Sequence, residues 1–163
     1  MEKWLKWLWV GSIVVMIVQM AVSYSFLPER MATHFDLEGN PDGWSSRTSF
    51  VLLWVGLIVI INCWVPLTGK LMTKLPPGLT NLPNRDYWMS EPARREVAIG
   101  IVTSMMQGIF LGVNICFILL YQYTIDVNVD GSSDINMWVG IGFAVVVPVF
   151  FAFWGLNRLG KTE

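Results

Sequence analysis

His34, the one histidine of this 163-residue chain, opens the stretch HFDLEGNPDGW, with Asp36, Glu38 and Asp42 close behind it. An imidazole beside carboxylates suits zinc or another transition metal, alternating oxygen donors ahead of a glycine suit calcium, and a histidine is a candidate for catalysis. Each reading meets an obstacle. With Asp36 as the first calcium ligand, Pro41 falls where the loop needs glycine and Arg47 where it needs a bidentate Glu. A metal held by His34, Asp36 and Asp42 would lack a second histidine or an external thiolate. No GxSxG, P-loop, HExxH or Rossmann fingerprint is present. The sequence therefore predicts no catalytic residue, metal or cofactor, and gives His34 a bond to loop backbone or a carboxylate. It makes His34, Asp36, Asp42 and Trp44 candidates for a surface that meets a peptide or protein partner.

The elements around this stretch are written in hydropathy. The chain is 54% hydrophobic and 14% charged, too few charges to cover a soluble globule. Four stretches without Asp, Glu, Lys or Arg, 7–26, 48–68, 97–123 and 135–157, match the roughly 20 residues that a helix needs to cross a hydrocarbon core. The expectation is an all-α membrane protein, a single membrane domain over residues 1–163, with transmembrane helices at about 5–26, 48–67, 93–123 and 136–157. A signal peptide is the alternative for the N-terminus, but its apolar run is longer than the roughly 7–15 residues of such segments. Nine of the eleven bases, Lys3, Lys6, Lys70, Lys74, Arg85, Arg94, Arg95, Arg158 and Lys161, fall on one side of the spans. The positive-inside rule then puts both termini in the cytoplasm. The other side carries Glu29, Asp36, Glu38, Asp42, Asp126, Asp130 and Asp134 against Arg30 and Arg47. Neither the net charge of −1 nor this layout suggests nucleic acid. With no ionisable residue inside the spans, a pump or secondary transporter is disfavoured.

Local signals add detail. Asn40, Pro41, Asp42 and Gly43 are turn chemistry, predicting a compact turn or hairpin, and residues 33–37 are expected to pair with the alternating stretch 123–129 as a small extracytoplasmic β cap. Trp4, Trp7 and Trp9 beside Lys3 and Lys6 read as an interfacial anchor. Pro66 and Gly69 should stop the second span, and Pro148 should kink the last. Ser90, ahead of Pro92, predicts a helix start. Gly100, Ser104, Gly108 and Gly112 form a small-residue stripe for close helix packing, within the chain or in an oligomer. Asn62, Gln107 and Asn114 should hydrogen-bond between helices, and Cys63 and Cys116 should act as small buried hydrophobes.

Two stretches together carry a family likeness: LPERMATHFDLEGNPDGW, through Pro28, His34, Phe35, Gly39, Pro41, Asp42, Gly43 and Trp44, and NLPNRDYWMSEPARRE, through Asn81, Pro83, Asn84, Tyr87, Trp88, Arg94 and Glu96. The chain resembles the bacterial membrane domain of unknown function found at the N-terminus of Sdp-type toxin-immunity proteins and in short standalone proteins. The resemblance implies a multi-pass protein of the bacterial cytoplasmic (inner) membrane. For an immunity protein it would imply protection from a secreted toxin and sequestration of a repressor. Four spans are expected over residues 1–163, fewer than the resemblance implies for full-length immunity proteins, which carry a further C-terminal membrane region. The leading expectation is a non-enzymatic membrane protein with an outer partner-binding cap and an inner loop packed on lipid or a regulator. An accessory subunit docking through the glycine stripe and a metal-dependent membrane enzyme are the alternatives.

Overall fold

The structure, a computed structural model, describes residues 3–162, so both ends of the expected domain, 1–163, lie just outside the described residues. It is mostly helical: α1 (Lys3–Ser23), a hairpin of β1 (Arg30–Phe35) and β2 (Pro41–Ser46), α2 (Arg47–Asn62), α3 (Trp64–Lys74), a short α4 (Arg85–Met89), α5 (Pro92–Asp130) and α6 (Met137–Gly160). Four helical segments, Lys3–Ser23, Arg47–Lys74, Pro92–Asp130 and Met137–Gly160, are long and apolar enough to cross a membrane. They mark a multi-pass membrane protein. The 39-residue α5 is the hub, with α1, α3, α4, α6 and β1 packed against it and α6 making the most extensive contact.

Lipid tails are as apolar as Leu, so helices in a membrane are held by close packing and hydrogen bonds. Both are present. A Cβ on Gly108 would be driven into the Phe151 ring, and one on Gly112 would come within 2.7 Å of Val147 Cβ and 2.8 Å of Pro148 Cδ. Those two glycines of the stripe are therefore occupied by α6 of the same chain. Asn62 and Asn114 exchange two amide hydrogen bonds, 3.1 and 3.0 Å, while Asn114 donates to Ser12 Oγ at 2.9 Å and Trp9 Nε1 donates to Asn62 Oδ1 at 2.7 Å. The expected role of Asn62 and Asn114 is met; Gln107 is buried.

Several expectations need correction. Residues 123–129 are not a strand but the last turns of α5, and β1 pairs antiparallel with β2 instead. The turn precedes the expected position: Gly39 takes φ 87°, while Pro41, Asp42 and Gly43 belong to β2. The second span does not stop at Pro66. The chain breaks at Cys63 and continues as α3 to Lys74, with Pro66 in the first turn of α3, where its missing N–H costs no helical bond. Ser90 closes α4 by donating to Tyr87 C=O at 2.8 Å, and Glu91 is the cap residue of α5. Cys63 is exposed at the helix junction, unlike buried Cys116. Trp9 turns inward to Asn62, whereas Trp4 and Trp7 remain exposed.

Candidate functional site

The hairpin grows from a tightly tied base. Arg47 donates to Leu27 C=O at 3.0 Å, lies over the Tyr24 ring at 4.9 Å, and sends its backbone N–H to Glu29 C=O at 2.9 Å. Met31, fully buried, inserts into a core with Met16, Met20, Leu27, Phe50, Tyr121 and Ile125. Phe50 stacks on Tyr121 at 5.3 Å, and Phe35 meets Tyr123 edge-on at 5.5 Å. The decisive tie is Asn128 on α5. Its Oδ1 accepts from Ala32 N–H at 2.6 Å, and its Nδ2 donates to Ala32 C=O at 2.9 Å. One side-chain amide thus supplies both bonds that a third strand would offer, satisfying backbone groups that are costly to leave unpaired when buried.

At the tip, Asp36 Oδ1 accepts from Asn40 N–H at 2.7 Å and Asp36 Oδ2 accepts from Asn40 Nδ2 at 3.1 Å. The Asn40 backbone bond, opposed by some desolvation and aided by the Asn40 amide and the Glu38 and Gly39 N–H groups, holds the Asp36 carboxyl below its ordinary value. His34 Nδ1 contacts the Asp42 carboxylate, and both side chains are exposed. Gly43 is needed for closeness here, since a Cβ would lie 2.7 Å from His34 Cβ. Trp44 takes the Arg30 guanidinium at 5.0 Å. Leu37 is 87% exposed and Trp44 51%.

Of the predicted cap residues, the fold pairs His34 with Asp42 and turns Asp36 away to Asn40. Among the described residues, no three His, Cys, Asp or Glu side chains are grouped to hold a metal ion. Sequence reasoning missed Asn128, Arg47 and Leu37; the one available signal was an amide among the acids that follow the third span.

The second motif sits at the opposite, basic end and forms a clasp. Asn84, at φ 52°, donates to Leu159 C=O at 3.3 Å and Gly160 C=O at 2.8 Å, and Trp88 Nε1 donates to Leu159 C=O at 2.8 Å. The last carbonyls of a helix have no partner within it, and these side chains supply one for α6. Arg95 does likewise for α3, donating to Met72 and Leu75 C=O, each at 2.6 Å. Arg94 lies over Tyr87 at 4.4 Å and reaches Glu91 at 3.4 Å. Asn81 and Pro83 lie in the link before α4. Beside the clasp, a groove of about 730 Å³ opens between the start of α5 and the end of α6, and Gly100 and Ser104 line it.

Comparison with known families touches the hairpin end. Residues 11–59 match the family model of a domain of unknown function, DUF1648. The DUF1648 match runs from α1 through the hairpin into α2, leaving the clasp and the groove outside it. No curated protein and no solved structure matches the chain.

Proposed function

We propose that the chain is a non-enzymatic protein of a bacterial inner membrane, with both termini cytoplasmic and the hairpin facing outward to bind a peptide or protein partner. The observation that carries this reading is Leu37, 87% exposed at the tip of a hairpin tied down by Asn128, Met31 and Arg47. A locked backbone that offers Leu37 and Trp44 among Asp36, Glu38 and Asp42 suits a ligand with apolar and basic side chains, because little ordering remains to be done on binding. The resemblance to Sdp-type immunity domains supports a secreted peptide or toxin as that partner and a role of the immunity or signalling kind. Docking as an accessory subunit through the small-residue stripe is less well supported, since α6 already occupies Gly108 and Gly112.

A photo-cross-linking residue at position 37, activated in native membranes, should yield an adduct. The adduct should be lost when His34, Asp36 and Asp42 are replaced by Ala, Asn and Asn, with membrane insertion unchanged. An adduct that survives those replacements rejects the cap as the binding surface.

A further inference from the structure

The groove at the basic end changes character along its depth. Its mouth carries Arg94, Arg158 and Lys161 against the lining carboxylate Glu96 and against Glu91, which pairs with Arg94 at 3.4 Å, so it is net positive. Two of these cations are steadied by rings, Arg94 over Tyr87 at 4.4 Å and Arg158 over Trp154 at 5.8 Å. Further in, α5 offers Val97 and Ile101, then Ser104, only 2% exposed. Arg94 and Ser104 are separated by a rise of about 15 Å along the helix, half the roughly 30 Å hydrocarbon thickness of a bilayer. A bilayer that covers this apolar wall with its acyl chains would set the cations and aromatic rings at headgroup depth. Val97, 55% exposed, is left for lipid to cover.

We propose that this groove holds one anionic phospholipid, its phosphate against Arg158 and Lys161 with Arg94 alongside, and one acyl chain along Val97 and Ile101. The net positive mouth favours an anionic headgroup over a zwitterionic one, while the apolar inner wall gives a soluble phosphate or an acidic peptide nothing to match. This inference stands independently of the hairpin and of its partner.

The full chain, purified in a nonionic detergent, is titrated with phosphatidylglycerol and with phosphatidylcholine of identical chains, and bound lipid is read by native mass spectrometry. One phosphatidylglycerol should be retained in preference to phosphatidylcholine. The pair Arg158→Gln and Lys161→Gln should weaken it by about 25-fold, from roughly fivefold for each cation near a membrane surface, and should weaken phosphatidylcholine, whose phosphate is offset by its choline, much less. The pair Lys70→Gln and Lys74→Gln, at the same end but outside the groove, should have no effect. An equal loss in that pair would assign the preference to overall surface charge and overturn the proposal. Binding of water-soluble glycerophosphoglycerol as tight as the lipid, or tighter binding of polyglutamate, would also overturn it. Arg158 and Lys161 are exposed, so both variants should fold, and thermal unfolding in the same detergent checks this.

Discussion

At the hairpin end, a side-chain amide near the end of α5 reaches out to a β-strand and fastens it to the bundle; at the basic end, an amide from a loop reaches in and closes the tail of α6. Asn128 and Asn84 both satisfy backbone groups at the margin of the bundle. The resulting surfaces are opposite in shape and charge. The hairpin projects acids and an exposed Leu37, whereas the clasp borders a recess rimmed by arginines and lysine. Each end has its own core, Met31 with Phe50 and Tyr121 at one, Trp88 with Ala98 and Leu159 at the other. The lesson is that α5 is shared while the packing that supports each surface is local.

That separation can be broken from one side at a time. The largest effect should come from Gly108→Leu, which forces a side chain into Phe151 and should cost about 3 kcal/mol or more by overpacking. By displacing α6 it should strip Leu159 from Asn84 and Trp88, so amide exchange should accelerate over residues 81–96 while the hairpin keeps its protection. Loss of protection at both ends together would mean one cooperative unit.

Asn128→Ala is the mirror experiment. It removes the side-chain partner of both Ala32 N–H and Ala32 C=O, a loss of about 1–3 kcal/mol. Exchange should speed up across β1, and cross-linking from position 37 should fall, with the clasp unaffected.

The smallest effect concerns acid. Because the Asp36 carboxyl is held below its ordinary value of 3.8, its contribution to the turn is present above that value and is lost as pH falls through the lower, folded one. Protection of Asn40 N–H should decline in that acid range, and Asp36→Asn should flatten the dependence without disturbing the basic end.

The spans were legible because membrane crossing is a matter of length and missing charge, and four long apolar helical segments overlap the expected ones, although the second runs on past Pro66 to Lys74 and the third past Tyr123 to Asp130. The stretch 123–129 misled because alternation over seven residues also fits a helix. Its polar groups are used at helical spacing, with Gln122 donating to Asp126 at 2.7 Å and Asn128 to Thr124 C=O at 2.7 Å. The turn was misplaced because Gly43 looked like a positive-φ residue, whereas it is there to let His34 approach. At the candidate site, the His34 and Asp42 contact follows from proximity in sequence. Asn84 was legible as part of a motif but not as a cap on a helix 75 residues away, because amides carry no periodicity that announces a distant partner.

The 39 residues of α5 run without interruption from Pro92 to Asp130, a rod of about 58 Å at 1.5 Å per residue. Asn128 fastens the hairpin near one end of this rod, and Val97 and Ile101 face the groove near the other. No loop lies between them to absorb strain. One unbroken helix therefore joins the two surfaces, and the distance between them is set by its length.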